Sequence, residues 1–191
     1  MSSGAGSLDA VPAGAVAPPP RWDDDQVDAS RPAAEDPPPR WLEGVEAQAW
    51  LSLIGVIIRL PAALDTQLQR DAGLSHFEYI VMVNLSNATD HVLRMSQLAA
   101  QCHSSLSRLS HVVARLERRG WLRREPCPDD GRATLARMTD EGFAKLASAA
   151  PGHVEAVRAF VVDALDEQQL HELTAIGDTI LKQLDGDGER R

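Results

Sequence analysis

The sequence predicts a mainly α-helical fold carrying one small β-hairpin. Three observations predict it. Apolar residues recur at helical spacing through most of the chain from position 41 onward, capping and stop residues punctuate those runs, and one short segment of strand-forming residues surrounds a Pro-Asp-Gly turn. A length of 191 residues with 43% apolar side chains allows one ordinary domain plus appendages.

Residues 1–40 hold eight of the twelve prolines and almost no large aliphatic side chains. Such a segment cannot bury enough apolar area to offset the entropy of ordering it, so it is expected to be a disordered acidic tail, with Trp22 a stray aromatic or a docking point for a partner. Composition then changes. Positions 50, 53, 54, 57, 60, 64 and 68 are apolar at helical spacing, which predicts a long helix over about 42–72, kinked or broken near Leu60 by Pro61 and stopped by Gly73.

Ser75 and Glu78 have the spacing of a capping box and open a second helix, apolar at 77, 80, 81 and 85 and ending near Asn87. His91 to Met95 reads as a short strand. Ser96 is placed to cap a brief helix, and after a corner at Cys102 to Ser104, Ser105 caps another that runs to Arg119 with Gly120 as its left-handed terminator. Two short helices across a tight turn make a helix-turn-helix. Residues 121–125 and 132–138 flank the turn PCPDDG and form a hairpin, the wing of a winged helix. Thr139 caps a helical stretch interrupted or bent around Pro151 and Gly152, and Asp166 with Gln169 repeats the capping box before a last helix ending near Leu184. The winged helix-turn-helix spans about 75–142, a further helical region about 143–184, and 185–191 is expected to be a disordered end.

The formal charge is −9, yet Arg94 to Arg137 holds nine arginines against four acids, a local +5 that leaves the rest at −14. A polyanion responds to the local patch, so an acidic total disfavours a nonspecific coating protein without excluding selective nucleic-acid contact. On the helix from Ser105, Leu109, Val112, Val113 and Leu116 share one stripe that must pack inward. The opposite face presents Ser107, His111 and Arg118, flanked by Arg108, Ser110 and Arg115; Ser105 at the N-terminus joins this candidate DNA-binding set, and Arg115 and Arg118 are expected mainly to hold phosphates. Short hydroxyls, arginine and histidine near a helix N-terminus suit the major groove, where arginine can grip guanine with two hydrogen bonds. Arg132, just past the hairpin turn, can enter the minor groove, with Asp130 holding it or the hairpin in place, while Arg123 and Arg124 at the wing's foot would meet phosphates.

These residues carry a family resemblance. RMSQLAAQ, LSRLSHVVARLERRGWLRR, DDGRATLARMTDEG and LSHFEYIVMVNLS together resemble the MarR (multiple antibiotic resistance regulator) family of winged-helix transcription regulators, over roughly residues 45–184. The resemblance implies a homodimer with interlocking N- and C-terminal dimerisation helices, each subunit presenting one recognition helix and one wing to double-stranded DNA at a pseudo-palindromic operator. It implies a repressor released by a small aromatic effector, for which Trp50, His76 and Tyr79 lie on segments that could line a pocket. Two departures stand out: His103 occupies a corner where the family often has glycine, and His111 stands where arginine is frequent, so binding is expected to strengthen as pH falls.

The contrasting readings are a winged helix that binds protein and a redox-responsive regulator acting through Cys102, against which stands Cys102 as a small core residue. Cys127, at the wing tip, is expected to be exposed. Two cysteines are too few for a disulfide scaffold and fit a reducing cytoplasm. No metal or cofactor is expected, because no paired zinc-ligand spacing occurs, and the enzyme motifs G-x-S-x-G, H-E-x-x-H and a phosphate-cradling glycine loop are absent. No apolar run is read as approaching the ~20 residues of a membrane span, so no membrane partner is expected.

Overall fold

A computed structural model describes residues 39–188, and the expected N-terminal tail lies outside the described residues but for its last two. A compact unit begins at Leu42. Its helices are α1 (Gly44–Ala72), α2 (His76–Asn87), α3 (Met95–Gln101), α4 (Leu106–Arg118), α5 (Asp140–Phe160) and α6 (Glu167–Gly188), and its strands are β1 (Val92–Arg94), β2 (Leu122–Cys127) and β3 (Asp130–Met138). The strands form an antiparallel sheet in the order β1-β3-β2, with Val92 opposite Arg137 and Leu122 opposite Met138. Mostly helical with a three-stranded sheet, this is a winged helix.

Four of the five expected N-terminal caps fall where the sequence puts them. Ser75 Oγ accepts from Glu78 N at 3.1 Å while Glu78 Oε2 accepts from Ser75 N at 2.8 Å, and Asp166 and Gln169 make the same reciprocal pair. Ser105 Oγ accepts from Arg108 N, and Thr139 Oγ1 from Gly142 N. Gly73 closes α1 at φ 64°, and His103 in the helix-turn-helix corner sits at φ 45°, the left-handed region that costs a side chain about 1 kcal/mol or more.

Several expectations are corrected. Helix α1 runs unbroken through Pro61, and α5 through Pro151. Each proline removes a single backbone donor, and the hydrogen bonds of the turns on either side carry a long helix across that one gap. The brief helix begins at Met95, so Arg94 rather than Ser96 is its cap, with Arg94 N donating to Gln97 Oε1 at 3.2 Å. Helix α6 continues past Leu184 to Gly188. Cys127 is buried at 6% exposure, because the register shifts between Pro126 and Cys127 and turns that side chain inward. Helix α1 is also long and apolar enough, by length and composition, to cross a membrane, with a mean hydropathy of 1.6 over 18 residues. Counting uninterrupted apolar residues missed this, since an averaged window tolerates an isolated charge such as Arg59.

The core lies between α1's last turns, α2, α3, α4 and the base of the sheet. Leu68, Leu74, Met82, Leu85, Leu98, Leu109, Val113, Leu116 and Leu122 are fully buried in it. The inward stripe of α4 is therefore fixed, and its opposite face must point outward. By contrast Trp50, Leu51, Val56, Ile57 and Ile58 of α1, and Leu173, Ile176, Ile180, Leu181 and Leu184 of α6, are exposed within this subunit.

Candidate nucleic-acid interface

Helix α4 presents Ser107, Arg108, His111, Arg115 and Arg118 to solvent, with Ser110 half-buried. Beside it the β2-β3 hairpin carries Arg132 at its tip. A cleft of about 380 Å³ joins the two, lined by Ser96, Leu106, Ser110, Arg124, Asp130 and Arg132 among others. Asp130 holds the hairpin through the backbone, with Arg132 N donating to its Oδ1 at 3.1 Å, and its other oxygen lies 3.9 Å from Arg94 Nη1. The Arg132 guanidinium itself is left to project. Among the described residues, Arg108, Arg118 and Arg132 have no carboxylate within ion-pair distance, so their charge faces outward.

The other arginines have intramolecular work. Arg115 Nε donates to Glu78 Oε1 at 3.0 Å, Arg119 Nη1 donates to the Gly73 carbonyl at 2.8 Å, and Arg124 grips Glu117 through two nitrogens. Arg123 pairs with Glu125 at 2.6 Å, and Arg137 reaches the same carboxylate from the neighbouring strand. Glu117 and Glu125 are accordingly held below the usual carboxylate range by hydrogen bonds from Arg124 and Arg137 respectively. Arg115, expected to hold phosphate, is committed to a buried carboxylate, a partner 37 residues away that no local pattern announces. Ser105, expected at the DNA face, spends its hydroxyl oxygen as the α4 cap.

Two of the three expected effector residues come together. Tyr79 stacks on His153 of α5 at 4.4 Å between centroids, and His76 lies 5.7 Å from the same ring. His153 Nδ1 is 3.4 Å from Gln67 Oε1, and Gln67 also lines a cavity of about 600 Å³ between α1 and α5 with Thr66, Arg70, Asp71, Glu155 and Phe160. Burial pushes the Tyr79 hydroxyl up and both imidazoles down. Trp50 does not join them. Asp65, which accepts from His76 N at 2.8 Å, is fifteen residues further along α1, about 22 Å at helical rise. His153 and Gln67 went unread because a polar residue on a helix shows its partner only when the helices pack.

Cys102 is buried beside Asn84, whose Nδ2 lies 3.7 Å from its Sγ. Burial pushes the thiol up, away from the reactive thiolate. The geometry favours the small core residue over the redox sensor.

Comparison with known proteins agrees with this architecture. The MarR family profile matches residues 72–133. The chain is similar to Sco3205 of Streptomyces coelicolor, a MarR family transcriptional regulator solved in complex with DNA, with 46% identity and a TM-score of 0.74 over 76% of this chain and 91% of that one. It is similar to AbsC of the same organism at 36% identity and a TM-score of 0.73, over 78% and 99% of the two chains. The regulator PecS of Dickeya dadantii is 29% identical over 65% of this chain and 78% of its own length. On these grounds, and on a winged helix whose recognition face and wing are both in place, the chain belongs to the MarR family of transcriptional regulators, which are DNA-binding proteins and not enzymes.

Proposed function

We propose that this regulator acts in the cytoplasm as a homodimeric repressor that binds a pseudo-palindromic operator and is released by a small aromatic effector. The observation that carries the DNA reading is the single cleft shared by α4 and the wing, which sets Ser110 and Arg132 around one concave surface beside the outward face of α4. Ser107, Arg108 and His111 read base edges or nearby phosphates in the major groove, and Arg118 holds phosphate. Arg132 enters the adjacent minor groove, positioned by Asp130.

The dimer reading rests on the exposed apolar faces of α1 and α6. Leu173, Ile176, Ile180 and Leu184 recur at helical spacing on α6 with no cover among the described residues, and a second copy laying the same faces against them would bury both. That accounts for the apolar length of α1 without a membrane. Two recognition helices then meet half-sites about one helical turn, ~10 base pairs, apart. The effector reading rests on the α1-α5 cavity and the His76, Tyr79 and His153 cluster that borders it through Gln67, a group of aromatic rings beside a cavity that also carries Arg70, Asp71 and Glu155.

Selection of bound duplexes from random DNA, followed by titration of the best one across salt, tests the DNA reading. Arg132→Ala is expected to weaken binding and to make the salt dependence of log K shallower by about 0.9, the share of one phosphate-region contact. An unchanged affinity and slope would remove the wing from the interface.

A further inference from the structure

Glu78 is 2% exposed, yet it is a carboxylate. It lies in the first turn of α2, and what surrounds it comes largely from α4. Its Oε1 accepts from Arg115 Nε at 3.0 Å, its Oε2 accepts from Ser75 N at 2.8 Å, and Arg119 Nη1 stands 4.0 Å from that second oxygen while donating to the Gly73 carbonyl. The neighbouring Phe77 ring lies under the Arg108 guanidinium at 4.3 Å. Residues 73–78, the junction between α1 and α2, thus touch three arginines of the recognition helix and its C-cap at 108, 115 and 119.

We infer that Glu78 is a positioning residue that determines sequence discrimination: although both side chains remain part-exposed, it holds Arg115 and Arg119 against the protein surface, fixing the rotation of α4 and keeping two cations off the DNA backbone. The inference rests on α4 being the groove-reading helix, as proposed above. Phosphate contacts supply affinity that is blind to sequence, each adding about 0.9 to the salt slope. A buried carboxylate stripped of its partners is strongly unfavourable, so Arg115 cannot swing out to a phosphate while Glu78 keeps its charge, and Arg119, bonded to the Gly73 carbonyl, is drawn the same way across 4.0 Å. Neutralising Glu78 removes that hold. The arginines then become free to add nonspecific contacts, and the helix they steadied loses its fixed presentation of Ser107, Arg108 and His111.

The test is Glu78→Gln in the full-length chain, an exchange of equal shape. Its affinity for the selected operator and for a scrambled duplex is measured between about 50 and 300 mM salt. We expect nonspecific affinity to rise at low salt, the slope to steepen by about 1 to 2, and the ratio of specific to nonspecific affinity to fall about tenfold. In Glu78→Gln combined with Arg115→Gln and Arg119→Gln, the slope should return to the wild-type value. A parallel loss of both affinities with an unchanged slope would mean a merely structural Glu78 and would overturn the inference. Arg115→Gln alone decides the matter should Glu78→Gln fail to fold: an unchanged slope supports the inference, and a slope shallower by about 0.9 puts Arg115 on phosphate and overturns it. A wild-type chain that does not discriminate between the duplexes defeats the parent reading together with this one, whereas discrimination with an unaltered slope in Glu78→Gln defeats this one alone.

Discussion

Replacing Gly142 with alanine should loosen the joint between the wing and α5. Gly142 is buried in the first turn of α5, and a Cβ there would lie 2.1 Å from the Trp121 carbonyl oxygen, 2.9 Å from its carbon and 3.1 Å from Met138 Cγ. Two of those atoms are backbone, so no side-chain rotation relieves the overlap, and the start of α5 must move by about 1 Å to restore a tolerable contact. The same carbonyl accepts from Thr139 N at 3.1 Å, and Thr139 Oγ1 donates to the Gly120 carbonyl at 2.7 Å. Both bonds tie the recognition helix terminus to α5, and both stretch when α5 retreats. Losing them costs about 1 kcal/mol each, overpacking adds about 1 to 3, and the better helix propensity of alanine returns about 1. The net expectation is a destabilisation of about 2 to 4 kcal/mol, a drop in Tm of roughly 5–15 °C by circular dichroism. Ala144→Gly, on the exposed side of the same helix, serves as the comparison and should cost only its propensity, about 1 kcal/mol. A Gly142→Ala chain as stable as the wild type would refute the argument that this close approach requires glycine.

Two further outcomes are expected. His103→Val should lose about 1 to 2 kcal/mol in urea unfolding while His103→Gly loses nothing, because φ 45° is harshest on a branched side chain; equal stability of the two would show that the corner relaxes. The second concerns pH. His76 is held below the ordinary histidine range by burial, partly countered by Asp65, and His153 by burial and then by His76. The unfolded chain therefore takes up protons first as pH falls, so this contribution to stability is complete above the unfolded value of about 6.5 and is lost as pH drops through the lower folded values. Tm should decline between about pH 7 and 5, and less steeply in His153→Gln; an identical profile in that variant would sink the assignment.

What could be read from the chain follows from the range of each signal. Capping boxes at Ser75 and Asp166, the inward stripe of α4, and the terminators Gly73 and Gly120 are local, since each depends on residues within one or two helical turns. They sufficed to place the helices and the wing, and with the wing motif they sufficed to recognise the family. The prolines at 61 and 151 misled because one missing backbone donor weighs less than the many hydrogen bonds a long helix keeps on either side of it. Cys127 misled because a hairpin's bulge, invisible in composition, decides which way a residue faces.

The sequence by itself determined that this is a winged helix with an arginine-rich outward face on α4 and an arginine in the wing, because helical period, cap spacing and turn chemistry are written in adjacent residues. Only the tertiary structure decided which arginines are free. Arg108, Arg118 and Arg132 project without a carboxylate partner among the described residues, while Arg115 and Arg119 converge on Glu78. In the sequence all are alike, for charge is a property of the residue, but the partner that neutralises it sits on another helix and is brought there by the packing of the core.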